Sequence, residues 1–162
     1  MKLYIKNKFF TLRGSSSVTD ESGQDVLVVK GNFFTFTNKK RIKDVNGKLL
    51  YKVRNRWFNF ITHGAYIYDG EGKKVAKIKR KFGFKNVFAV EGYRDEISVE
   101  GDFLSWTLDV FRNGEQIGTV RREFALTDSF VLETDDADDA AFMTALVIAI
   151  DNIFDNMSNS NR

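Results

Sequence analysis

Between Ala140 and Ile150 the chain runs Ala-Ala-Phe-Met-Thr-Ala-Leu-Val-Ile-Ala-Ile, with Thr144 as its only polar residue. Wound as a helix, this run is apolar at every angle, so it needs protein or lipid on all sides. At about 1.5 Å per residue it spans roughly half of a bilayer core, so a transmembrane span is not expected. Protein must therefore wrap it. Asp135, Asp136, Asp138 and Asp139 stand just before it. Acidic side chains suit the positive end of a helix, and Asp is a strong cap. The pattern predicts one helix over about 137–155, inside a single domain over 1–156, with 157–162 as a disordered tail.

The wrapping has to come from strands. Asp20-Glu-Ser-Gly23, Asp44-Val-Asn-Gly47 and Asp69-Gly-Glu-Gly72 repeat one turn signal, each two residues after a β-branched residue (Val18, Ile42, Ile67). Asp bonds the backbone ahead of it and Gly supplies the positive φ that closes the turn. Asn113-Gly114 is a tighter hairpin signal. Alternation fills the intervals. Ala76, Ile78, Phe82 and Phe84 fall on one face, with Lys77, Lys79 and Lys81 on the other; Leu104, Trp106, Leu108 and Val110 alternate with Ser105, Thr107 and Asp109. Sixteen phenylalanines favour strands. Proline is absent where about eight would be usual. These features predict a mainly β fold, a closed antiparallel barrel of roughly twelve strands around the buried C-terminal helix.

The Asp-x-x-Gly hairpins, the segment Val29-Lys-Gly-Asn-Phe33 and the apolar helix ending in Ala149-Ile-Asp-Asn-Ile153 occur in an order that resembles the LURP-one-related family. That family is related to the Tubby C-terminal domain and, more distantly, to phospholipid scramblases. The resemblance covers essentially the whole chain and implies a twelve-stranded barrel threaded by a hydrophobic helix. Tubby domains hold phosphoinositide head groups through Lys and Arg, but none of those ligands maps residue by residue here. The acidic calcium segment of scramblases has no counterpart.

Charge is divided along the chain. Residues 39–85 hold 15 Lys or Arg against 3 Asp or Glu, while residues 86–162 hold 5 against 16. Within the basic half, Lys52, Arg54 and Arg56 form one stripe at period two, and Lys77, Lys79 and Lys81 a second. Neighbours in a stripe lie about 6.6 Å apart, close enough to share one phosphorylated ligand. The competing reading is a solvated barrel exterior. Arg80 shares the apolar face of Ile78 and would need a partner, a ligand or a snorkelling path.

Other candidates carry less. Lys81-Phe-Gly-Phe84 with Phe88 partly matches an RNA-binding consensus, lacking its first glycine and placing Lys85 where an apolar residue belongs. His63, the only histidine, has no second histidine for a metal site. The aspartate cluster lacks the spacing of a calcium loop. Gly70 and Gly72 belong to a turn. With no cysteine, disulfides and thiol chemistry are excluded. No motif calls for a cofactor or names a catalytic group, and Met1–Phe10 has no apolar run of a secretory signal.

The expected function is thus a non-enzymatic binding domain, cytoplasmic and peripheral to a membrane. It would use Lys52, Arg54, Arg56, Lys77, Lys79 and Lys81 for an anionic phosphate-bearing ligand or an anionic membrane surface. The alternatives are nucleic-acid binding by the same basic half, with Trp57, Phe82 or Phe84 stacking bases, and a protein-interaction module in which basic and acidic halves of two copies meet.

Overall fold

Each Asp-x-x-Gly signal closes a hairpin by the same set of bonds. The N–H of Gly23, Gly47 and Gly72 donates to the carbonyl of Asp20, Asp44 and Asp69 at 3.0, 3.1 and 3.1 Å. All three glycines have positive φ, between 81° and 88°. Each aspartate Oδ1 also accepts the N–H four residues on: Gln24 at 3.0 Å, Lys48 at 2.8 Å and Lys73 at 2.8 Å. The ladder slips by one residue beside each turn, as a glycine bulge requires.

The structure is a computed structural model and describes residues 1–6, 15–31, 39–56, 64–80, 88–123 and 129–160, without the side chains of Lys6, Arg80 and 155–160. The strands are β1 (Lys2–Lys6), β2 (Ser15–Asp20), β3 (Asp25–Gly31), β4 (Lys40–Asp44), β5 (Leu49–Asn55), β6 (Gly64–Asp69), β7 (Lys74–Arg80), β8 (Phe88–Gly92), β9 (Ile97–Asp102), β10 (Thr107–Arg112), β11 (Glu115–Glu123) and β12 (Ser129–Glu133). One helix, α1 (Ala137–Ser160), follows.

All twelve strands make one antiparallel sheet in the order β8-β7-β6-β5-β4-β3-β2-β1-β12-β11-β10-β9. Its two outermost strands, β8 and β9, are neighbours in sequence and joined by only Tyr93–Glu96. The sheet therefore rolls up into a nearly closed barrel. The meander expected from the turns holds over β1–β8 and again over β9–β12. The β1–β12 ladder, from Lys2 opposite Glu133 to Lys6 opposite Ser129, joins the two runs.

Helix α1 fills the barrel. Every residue from Ala140 to Ile150 is buried, Thr144 included, and none exceeds 3% exposure. The Thr144 hydroxyl donates to the Ala140 carbonyl at 2.8 Å, which satisfies the one polar group in the run. Around it lie Leu3, Ile5, Val29, Ile42, Val53, Ile67, Ile78, Val110, Val120 and Leu132, the inward members of alternating strands. At Gly118 the sheet backbone comes so close to α1 that an added Cβ would meet the Met143 sulfur at 2.7 Å. Asp136 caps the helix, its Oδ1 accepting the N–H groups of Asp138 at 2.7 Å and Asp139 at 3.4 Å.

Two details depart from the sequence reading. Leu104 is 62% exposed and Trp106 is buried with φ of 53°, so strand β10 starts only at Thr107. A turn at Phe103–Trp106 breaks the alternation that the residue types suggested. The helix also runs on to Ser160, past the expected end near 155, since neither Gly nor Pro stops it. Residues 157–160 of the expected tail are thus helical.

The turn carboxylates make the fold acid-sensitive. Asp20 is held below the ordinary value of 3.8 by the Ser22 hydroxyl and the Gln24 N–H. Asp102 is lowered by the Leu104 N–H and the Ser105 hydroxyl. At Asp69 burial opposes the charge, but the Lys73 N–H, Arg94 and the Glu71 N–H lower it on balance. Groups depressed on folding add stability that is complete above their unfolded value. It is lost as pH falls through the folded values. Stability should accordingly decline below about pH 4, and Asp20→Asn/Asp69→Asn/Asp102→Asn should flatten that decline. Urea melts from pH 2 to 6 check it; equal slopes for the two proteins would refute the assignment.

Candidate functional site: a basic outer face

Because inward residues of β4–β7 pack on the helix, their alternate residues point outward. Val53 and Asn55 are buried, so Lys52 and Arg54 face out from β5, and Arg56, just past its end, is exposed. Ala76 and Ile78 are buried, so Lys77 and Lys79 face out from β7. Both expected stripes therefore exist as far as they are described; Lys81 lies outside the described residues. So do Trp57, His63, Phe82 and Phe84. The backbone of Arg80 pairs with Phe88, but the question of its partner falls on a side chain that is not described.

Register brings the stripes together. Arg54 pairs with Tyr66 on β6, and Tyr66 pairs with Lys77 on β7. The two stripes thus lie two strand spacings apart, about 10 Å, with a tyrosine between them. One row across the sheet reads Lys30, Arg41, Lys52, Tyr68 and Lys74, each opposite the next. The Tyr66 ring carries Lys74 Nζ at 4.7 Å and Lys77 Nζ at 5.9 Å from its centroid. Next to it Arg56, Lys77 and Lys79 line a shallow cleft over Gly64 and Ala65.

These cations press on one another. Lys77 is lowered from its usual value by the close approach of the Lys79 ammonium and by burial, with Arg56 adding to the effect and Glu91 opposing it. Lys39 is lowered by burial and by Lys52, Arg41 and Arg54. Carboxylates relieve the margins: Glu91 pairs with Lys79 at 3.6 Å, Glu71 with Lys73 at 2.9 Å and Asp69 with Arg94 at 3.0 Å. Among the described residues, no carboxylate comes within ion-pair distance of Lys52 or Arg54.

Sequence reading missed Arg41, Lys30, Lys74, Tyr66 and Tyr68 as members of this face. Period two flags Tyr66 and Tyr68 on either side of Ile67, but nothing local says that they separate two lysine stripes. It also missed Lys40, which is only 4% exposed and sits on the inward side with Ile42. Among the described residues, two atoms of the buried Asn55 amide, Nδ2 and Oδ1, have no hydrogen-bond partner.

The acidic half of the chain forms the other side of the barrel, where Glu100, Asp102, Asp109, Glu115, Glu123 and Glu133 are exposed. The Asp135–Asp139 cluster acts at the helix start, as expected, and Asp139 also pairs with Arg112. Among the described residues no cluster of three or more His, Cys, Asp or Glu is placed to hold a metal ion, and no helix is long and apolar enough to cross a membrane.

A twelve-stranded antiparallel barrel threaded by an apolar C-terminal helix, with cations gathered on one outer side, is the class of protein that these observations define. The LURP-one-related family model matches residues 1–151, so the chain belongs to that family. The fold is similar to an X-ray structure of a protein from Arabidopsis thaliana, with a TM-score of 0.63 and 17% identity over 94% of this chain and 91% of that one. A search of the curated proteins finds no match.

Proposed function

We propose that the outer face of β4–β7 binds a phosphate-bearing anionic surface, and that its natural form is a membrane leaflet rich in acidic lipid. The protein would then be a non-enzymatic, peripheral and cytoplasmic binding domain. The observation that carries this reading is the set Arg41, Lys52, Arg54 and Arg56 on the β4–β5 side and Lys77 and Lys79 on β7, facing one another across the tyrosines of β6, in which Lys52 and Arg54 have no carboxylate partner among the described residues. Like charges held this close favour an anion that relieves them. A barrel exterior is convex, which suits a broad charged plane better than a small enclosed ligand. Each Lys or Arg near such a plane contributes about 1 kcal/mol, so five or six suffice for stable attachment. Tyr66 and Tyr68 add rings with an apolar body and a polar tip, the type enriched at lipid headgroup level.

The test is co-sedimentation with phosphatidylcholine vesicles prepared with and without phosphatidylserine. Association is expected only with the anionic vesicles, falling steeply as sodium chloride rises from about 50 to 200 mM. Equal association with both vesicles would overturn the reading. A gel shift of single-stranded RNA at low salt, without vesicle binding, would assign the face to nucleic acid instead.

A further inference from the structure

The side of the barrel opposite the basic face carries a row of the opposite sign. On β9 the buried Ile97 sets Ser98, Glu100 and Asp102 outward, and on β10 the buried Leu108 and Val110 set Thr107 and Asp109 outward. Register aligns them across the sheet. Glu100 pairs with Asp109, Asp109 with Thr119 on β11, and Thr119 with Glu133 on β12. Glu100, Asp109 and Glu133 are exposed. The row runs across the strands with one position about every 4.8 Å. Lys30, Arg41, Lys52 and Lys74, with Tyr68 before the last, follow the same spacing on the basic side.

The acidic row carries an unrelieved repulsion. Glu100 and Asp109 stand directly opposite each other, an arrangement that destabilises a strand pair. The Gln116 amide donates to Asp109 Oδ1 at 3.1 Å but brings no positive charge. Among the described residues no Lys or Arg comes within ion-pair distance of either carboxylate. Lys2 reaches only Glu133, at 3.8 Å, and Arg121 stands one row along, opposite Thr107. Two further features select the partner. β5 and β11 lie six strands apart whichever way the ring of twelve is followed, so one copy cannot pair its own two rows. The whole chain carries only +3, so copies approach without strong mutual repulsion while each presents a cationic and an anionic side.

We propose that the acidic row of one copy docks on the basic row of the next, with Glu100 and Asp109 set among Lys30, Arg41 and Lys52. Because the two surfaces differ, the contact is head to tail and adds copies without closing at two. Two convex surfaces meet over a small area, so the contact is weak and owes its specificity to charge. Off the membrane it covers the basic face of each copy but the last. An anionic leaflet competes for the same cations and releases the copies. The docking rests on the two rows alone, whereas its role as a cover rests on the membrane reading.

The test is sedimentation velocity of the parent protein, without vesicles, over a series of protein concentrations. At about 20 mM sodium chloride charges act over roughly 20 Å, and the mean sedimentation coefficient should climb with concentration past that of a dimer. At about 500 mM, where their reach falls to roughly 4 Å, it should return to that of a monomer. Glu100→Lys/Asp109→Lys should weaken association about tenfold or more, and so should Lys30→Glu/Lys52→Glu. Both variants should melt with the parent, as surface substitutions do. An equimolar mixture of the two should associate again, because each keeps the row that the other has lost. Glu100→Lys/Asp109→Lys should still bind phosphatidylserine vesicles, and such vesicles should disperse the assemblies of the parent. A parent that stays monomeric in low salt at about 100 μM would overturn the docking. Growth that stops at a dimer would show a closed, symmetric contact and overturn the head-to-tail arrangement. A mixture of the variants that associates no better than either alone would rule out the two rows as partners. Assemblies formed by a parent that binds no anionic vesicle would remove the cover and leave the docking standing.

Discussion

Leu146→Asp leaves a chain with no cooperative thermal transition, and Leu146→Ala unfolds roughly 4–20 °C below the parent. Leu146 is 0% exposed at the centre of α1, with buried residues on both sides and the inner face of the sheet around it. Removing its isobutyl group costs about 2–5 kcal/mol, because the lost contacts are joined by a cavity that a closed barrel cannot collapse. A domain of this size loses about 2–4 °C per kcal/mol. The aspartate is a different case. Its charge would sit among alanine, valine and isoleucine with no partner, and that exceeds what a marginally stable domain tolerates. Circular dichroism melts of the two variants decide it. A cooperative Leu146→Asp melt within a few degrees of the parent would mean that the helix is not the core of the barrel.

Lys52→Glu/Arg54→Glu/Lys77→Glu should reduce binding to phosphatidylserine vesicles by about a hundredfold or more, leaving the melting temperature nearly unchanged. Three reversals alter the local charge by six. At about 1 kcal/mol for each charge near an anionic surface, even half of that amount, after screening, is worth more than a hundredfold. These side chains face outward, and surface substitutions of this kind seldom alter stability by more than about 0.5 kcal/mol. Affinity within tenfold of the parent, in protein that melts normally, would remove the proposed role of the β4–β7 face.

The chain carries its local rules openly. Asp20, Asp44 and Asp69 each bond backbone within four residues, so their turns are legible from spacing alone. Outward Lys52, Arg54, Lys77 and Lys79 follow from alternation with Val53 and Ile78. Alternation misled at Leu104, which a turn exposes, while Trp106 is buried as expected although it lies in that turn, since residue type records affinity for the core and not backbone direction. The end of α1 was read too early because nothing in Asn-Met-Ser-Asn-Ser forbids a helix.

What the amino-acid order determined by itself is therefore a set of strands with two unlike sides, the turns between them, and one helix that water cannot surround. Which strands would lie side by side was decided only on folding, because register between distant segments depends on the whole sheet closing over α1. That closure set Tyr66 between the two lysine stripes and joined β1 to β12. It also turned the row of Glu100 and Asp109 away from the basic face, since β5 and β11 come to lie six strands apart on the ring.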